Sequence, residues 1–471
     1  MLVGPLSGTT EFWKAVRSRM TFSVTESVSA LGTWVSGLRW DAVPAPVAER
    51  LGTVLFDVLA ANAVGARTEG QRAFRAAWPA PPGHSPVVGG GSLTDPVTAA
   101  WLNGPATVCL EMDEGNKYAK GHPAAHVFPA VLALAAELDV RGPDLAAALL
   151  AGYEVAARFG RATSLRRGTH PHGNWGVAGA AAGCARLLGL DAERMAAAID
   201  AGSGLPVAGH FDSALDGNPV RDAWMGAANA SGIAAARLAV AGSARNTGTA
   251  ARSLGELLGT FAPQELSEGL GTRFDITGNY FKRHSSCSYT HPVADLLIDA
   301  RAALFGTAAN APEIATTTME IDVQTHALAA GLDRTTWHNQ LSAMFSVPFV
   351  AATALLHGEV TPRYTALLPA DAPEIAQVAE RVRISEDPDL TGKLPDNRAA
   401  RITVRLADGR THTAEAGNPV GDTDFQPFDR DRLAAIFAGL LEPAELRTIG
   451  AVVDAMTVSP GARALLAPLA G

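Results

Sequence analysis

The sequence predicts a mostly α fold, with a large all-helical domain formed by both chain ends and a smaller α+β lid domain inserted between them. Three observations carry that prediction. From residue 25 to about residue 277, apolar positions recur at helical spacing, and no run alternates persuasively with the two-residue period of a strand. Near Tyr280 the character changes to runs rich in Thr and Ile, set between turn signals, which continue to residue 416. From Phe428 helical spacing returns (FDRDRLAAIFAGLL), so the last helices are expected to rejoin the first domain. The expected boundaries are an N-terminal extension at 1–24, the helical domain at 25–277 and 417–471, and the lid at 278–416.

Taken in order, residues 1–24 read as a floppy extension or an early start, since Met20 stands just before the regular pattern and the segment lacks the apolar run of a secretory signal. Residues 21–70 read as two helices broken at Pro44 and Pro46, the second running from Val47 to Ala66. Residues 79–92 (PAPPGHSPVVGGGS) read as a loop, and Thr94-Asp95-Pro96 as a helix start. Asp144 and Asp191 read as caps of the helices after them, and Pro171 as the opening of a helix that ends at Gly189. Residues 207–222 read as a polar loop ending in Val220-Arg221-Asp222, ahead of another Ala/Gly-rich helix. In the lid, Ile314–Val323, Arg381–Ser385, Arg401–Leu406 and Thr411–Ala416 read as strands, the last two joined by a hairpin turn at Asp408-Gly409. Leu341–His357 reads as a buried helix.

Composition narrows the function. The 471 residues are 47% hydrophobic and 18% charged, which describes a compact globular protein with more than one sizeable core. A net charge of −9, without any Lys/Arg run, argues against a nucleic-acid surface. The three cysteines, Cys109, Cys184 and Cys287, form no CxxC pair, so a cysteine-rich zinc or iron–sulfur site is not supported and a reducing cytoplasm is expected. No uninterrupted apolar run reaches membrane-helix length, and Cys109 and Cys184 read as core.

One stretch stands out as chemistry: VCLEMDEGNKYAKGHPAAHVFPAVLALAAEL, from Val108 to Leu138. An apolar run stops in Glu111, Asp113 and Glu114, and His122-Pro123 then opens a long apolar helix. Proline suits the first helical turn, which places His122 beside free N–H groups that favour an anion. The device recurs at His170-Pro171 and His291-Pro292.

These residues resemble the MmgE/PrpD family of 2-methylcitrate dehydratases, cis-aconitate decarboxylases and iminodisuccinate epimerases. The resemblance runs in order through FDVLAANAVGA, LEMDEGNKYAKGHPAAHVFPAVLAL, GYEVAARFGR, THPHGNWGVAGAAAG, YFKRHSSCSYTHPVADLLIDA and SVPFVAATAL, from about residue 25 to the C-terminus. It implies a helical domain with an α+β lid, a homodimer, a site between the domains, and neither metal nor organic cofactor. The family's acid loop falls on Glu111, Asp113 and Glu114, its histidines on His122 and His170, its middle-loop lysine on Arg221, and its lid lysine segment on Lys282 and Arg283. Two departures stand out. Gly115 and Asn116 replace the Thr that often follows the acids, and Cys287 stands where the decarboxylases carry histidine. The latter implies dehydration rather than decarboxylation.

The candidate catalytic residues are then His122, His170, Asp113, Glu111 and Cys287. The candidate substrate-binding residues are Arg221, Lys282, Arg283, Asn116 and His291. Histidines titrate near neutral pH, and Arg and Lys clamp carboxylates, so the set suits proton abstraction next to a carboxylate on a small polycarboxylate. An epimerase or isomerase of an iminodisuccinate-like acid using the same abstraction, or a cis-aconitate-type decarboxylase, is the alternative; a dimeric scaffold without activity is the non-enzyme one. Blander readings stand beside these. The acids can form a solvated turn with Lys117 and Lys120, Lys282-Arg283 can be a hinge pair, and Cys287 a small buried residue. His126, His172 and His284 read as supporting or exposed. His122 and His126, spaced i, i+4, can pair on zinc, but Pro123 stands where the HExxH motif has its glutamate.

Overall fold

The computed structural model describes residues 23–306 and 309–471. Apart from its last two residues, the extension read at 1–24, with Met20, lies outside the described residues. A helix over 23–37 leads to a 21-residue helix, Ala45–Gly65. Six further helices make the body: Pro96–Val108, Pro123–Leu138, Gly142–Ala162, Val177–Leu187, Ala192–Ser203 and Val220–Val240. Their Ala/Gly content lets backbones approach closely. A Cβ on Gly179 would lie 2.5 Å from both the Gly152 carbonyl oxygen and the Ala156 methyl, so only glycine fits that crossing.

The buried apolar side chains form two large clusters. One gathers residues from Val24 to Phe281 together with Phe428, Leu433, Phe437, Ile449, Val452 and Leu469 near the C-terminus. The other gathers Cys287 to Leu406, with Ala214 reaching in from the helical side. The second cluster packs the helices His291–Phe305 and Val347–His357 against a four-stranded sheet. In that sheet Thr411–Ala416 runs antiparallel to Ala400–Leu406, which runs antiparallel to Met319–Thr325, which is parallel to Val382–Glu386. Among the described residues no helix is long and apolar enough to cross a membrane.

Several local expectations meet the structure directly. Asp95 caps its helix by accepting from Val97 and Thr98 N–H groups, and Asp191 does the same for Arg194. Asp144 is not a cap. Its helix starts at Gly142, because Pro143 is tolerated in the first turn, and Asp144 pairs with Arg141 instead. The helix expected from Pro171 begins only at Val177, after a loop that turns at Gly173 (φ +84°). The strand expected from Ile314 starts at Met319. Residues Ala311–Thr316 are helical because Asn310 and Glu313 form a reciprocal capping box with Pro312 in the first turn. The buried helix expected over Leu341–His357 is interrupted before Val347, where Ser346 caps the second piece and Pro348 sits in its first turn. The loop at 79–92 holds a short strand, Ser85–Val87, paired with Ser92–Thr94.

Candidate active site

The helix Pro96–Val108 delivers the acid loop into the interior, where Glu111 adopts a left-handed backbone (φ +52°) and all three acids are buried. Asp57, on Ala45–Gly65, holds the loop from behind by accepting the Glu114 N–H at 2.7 Å. The Glu114 side chain then turns to the start of Pro123–Leu138 and accepts the Ala124 N–H at 2.8 Å. The N-terminus expected to attract a bound anion is therefore filled by the protein's own carboxyl group. Burial pushes the Glu114 carboxyl well above its usual range, and Asp57 and Asp113 add to the shift.

This loop fixes His122. Its Nδ1 lies 2.7 Å from the Glu114 carbonyl oxygen and 2.9 Å from Asp113 Oδ2. Both neighbours are acceptors, so Nδ1 carries a proton, and in the ring's neutral form the lone pair is on Nε2. Nε2 makes no hydrogen bond among the described residues, and His122 lines a cavity of about 860 Å³. Burial alone would raise the Asp113 carboxyl, but His122 and Lys282 hold it well below its ordinary value. Glu111 feels the same opposition, and Arg221 and Lys282 bring it down to about 2.

The sequence matches the MmgE/PrpD N-terminal domain over residues 29–261 and the MmgE/PrpD C-terminal domain over residues 284–447. The chain belongs to the MmgE/PrpD family. It is similar to the cis-aconitate decarboxylase of Aspergillus terreus, at 24% identity over 422 residues that cover 84% of this chain and 86% of the relative. The cis-aconitate decarboxylase-like protein oryM of Aspergillus oryzae is 29% identical over 285 residues, 55% of this chain and 58% of its own length. Both relatives carry decarboxylase names, which are names of lyases.

In this MmgE/PrpD chain, five of the sequence candidates meet in one buried network. Arg221, in the first turn of Val220–Val240, bonds Glu111 through one nitrogen, and Asp222 (2.8 Å) and the Val108 carbonyl (3.3 Å) through another. Lys282 Nζ lies 2.8 Å from Glu111 Oε2 and 3.4 Å from Asp113 Oδ1, and through Asp113 the network reaches His122. Both cations thus spend themselves on protein carboxylates, and Lys282 does not line the cavity.

His170 lines the cavity in a different state. Its Nδ1 accepts the His172 N–H at 3.1 Å, so the neutral ring carries its proton on Nε2. Burial, reinforced by Arg221, drives its pKa well below the ordinary histidine value. Its ring stacks on Phe211, with centroids 5.3 Å apart. His126 bonds the His122 carbonyl through Nδ1 (2.8 Å) and the Gly173 N–H through Nε2 (3.0 Å). Neither nitrogen has a lone pair left for zinc, which removes the i, i+4 pair with His122 as a metal site.

The other candidates separate. Cys287 lines the cavity, but burial, with Glu111 nearby, pushes its thiol up to about 12, so it stays protonated. Asn116 also lines the cavity, yet its amide is used locally, giving to the Asp275 carbonyl and accepting from the Tyr118 and Ala119 N–H groups. Arg283 and His284 both reach Asp295, and the His291 ring meets the Ser286 carbonyl; none of the three lines the cavity.

Among the cavity residues that sequence reasoning passed over are Tyr280 and Arg398, and His172, read as supporting or exposed, lines the cavity fully buried. Tyr280 pairs across a two-residue bridge with Gly115, and its hydroxyl lies 2.3 Å from where a Gly115 Cβ would stand. The departure at Gly115 was the available signal, since glycine there leaves room for a large neighbour.

Proposed function

We propose that this protein is a cofactor-independent lyase that removes a proton next to a carboxylate of a small polycarboxylate and expels water, in the manner of a 2-methylcitrate dehydratase. One observation carries the reading: a histidine pinned through Nδ1 presents its lone-pair nitrogen at a cavity rich in cations. Seven lysines and arginines line that cavity against Glu111 and Asp212 alone, a balance that suits a polyanion.

The steps follow from the tautomers. His122 Nε2 takes the proton, and Asp113 faces the positive charge that then develops on the ring. The C–H electron pair becomes an enolate of the neighbouring carboxylate, and neutral His170, with its proton on Nε2, is a donor for the enolate oxygen. The double bond forms as the C–O bond breaks, and the leaving hydroxide departs as water with the proton held on His122. The decarboxylase names of the relatives support a second reading, in which the C–C bond to a carboxylate breaks and carbon dioxide leaves.

Incubation with citrate-like and aspartate-like polyacids in D2O, followed by proton and carbon NMR, tests the proposal. Deuterium is expected at a carbon next to a carboxylate in substrate or product, together with an unsaturated product. Retention of every carbon favours dehydration and release of carbon dioxide favours decarboxylation. Product without deuterium at such a carbon would sink the reading. We also propose a homodimer, the commonest closed assembly. Light scattering at micromolar concentration is expected to give twice the chain mass, and a monomer would contradict it.

A further inference from the structure

We infer that Arg398 binds one carboxylate group of the substrate, on the wall of the cavity formed by the segment before the strand Ala400–Leu406. The inference rests on the polycarboxylate reading and names the residue that recognises the acid.

The sequence offered Arg221, Lys282 and Arg283 for that task, and the structure occupies all three with protein carboxylates. Lys117 is occupied too, by Asp422 at 3.1 Å and Asp424 at 2.5 Å. Arg398 differs from them. It is only 3% exposed, yet it lines the cavity. Its backbone N–H is held by Asn418 Oδ1 at 3.0 Å and its Nη2 by Asp422 Oδ2 at 2.7 Å. Its guanidinium lies over the Tyr280 ring, 3.8 Å from the centroid. The first contact holds the backbone, and the other two fix the plane of the fork. Nη1 has no hydrogen-bond partner among the described residues, and Nε is buried without one.

Charge points the same way. Asp422 is shared between Lys117 and Arg398, and the second acid on Lys117, Asp424, is mostly exposed and screened by solvent. Two buried cations, Lys117 and Arg398, thus share one buried acid, and Asp422 is the one carboxylate paired with Arg398 among the described residues. A planar fork, fixed in orientation and bonded to protein on one side only, is the donor arrangement that carboxylates meet best. Tyr280 also ties this fork to the chemistry, because it pairs with Gly115, the residue after the acid loop that holds His122.

The test is calorimetric binding of propane-1,2,3-tricarboxylate, which has no hydroxyl to lose, to the full-length wild type, Arg398→Ala and Arg398→Lys. Glutarate, with one carboxylate fewer, is the comparison ligand. The dissociation constant for the tricarboxylate is expected to rise about 10–100-fold in Arg398→Ala, the usual worth of a charge-assisted hydrogen bond, and the preference over glutarate to shrink. Arg398→Lys keeps a cation beside Asp422, so it is the variant to rely on if Arg398→Ala does not fold. It is expected to bind more weakly than wild type, because an ammonium cannot present the fork. Wild-type affinity in both folded variants, or in Arg398→Lys alone should the alanine variant not fold, would overturn the assignment and leave the polycarboxylate reading standing. Failure of the wild type to bind either acid would overturn the polycarboxylate reading and this inference with it.

Discussion

His122→Ala is expected to lower turnover about 10²–10⁴-fold, the usual worth of a positioned acid or base. The argument runs through tautomers. The Glu114 carbonyl and Asp113 both face Nδ1, so only Nε2 can accept the substrate proton. Alanine removes that nitrogen but leaves the Glu114 carboxyl on the Ala124 N–H and Asp57 on the Glu114 N–H, so the loop keeps its hold. Steady-state assays should show the loss in kcat, beside a modest fall in melting temperature, because the buried Glu114 carbonyl loses its Nδ1 donor. His170→Ala should also lower kcat, through loss of a neutral donor rather than of a base. Turnover near that of the wild type in His122→Ala would remove the base from the mechanism.

Lys282→Met is expected to act first on stability. Lys282 is 1% exposed, and its ammonium touches Glu111 and Asp113. Removing one partner of a buried ion pair leaves the other charge stranded and costs about 3–5 kcal/mol. The urea midpoint should fall accordingly, and a wild-type midpoint with only a raised KM would return Lys282 to the role of a substrate clamp. The sign of the pH dependence is fixed as well. Glu111 has its pKa lowered from 4.5 to about 2, so the stability it contributes is present above 4.5 and is lost as pH falls towards 2. The gap between wild type and Lys282→Met should be full at neutral pH and close over that acid window.

Helix content was legible because Ala/Gly-rich segments with caps such as Asp95 and Asp191 leave few other options. The strand Thr411–Ala416 and its turn at Gly409 (φ +94°) were equally plain. Ile314 misled because β-branched composition outweighed an adjacent capping box, a local signal that hydrogen bonds make stronger than propensity. In the site, the sequence brought together Glu111, Asp113, His122, Arg221 and Lys282, and the structure sets these five in one network. What it could not show is which anion each cation meets. Arg221 and Lys282 carry the same residue chemistry whether they hold Glu111 or a ligand. Arg398 lies in a segment without any motif, more than a hundred residues from Lys282, and only folding sets it over Tyr280.

His126 has a wider consequence. Its ring ties the carbonyl of His122 to the N–H of Gly173, three residues beyond His170. The two histidines on this side are therefore clamped at a fixed separation by a third that takes no part in the chemistry. Burial drives its pKa down to about 4, so the clamp stays neutral and intact across the physiological range. The spacing of His122 and His170 is thus set within the helical body, without help from Cys287, Tyr280 and Arg398, which line the same cavity. A change among those three residues is therefore expected to leave the distance between the two histidine rings as it is.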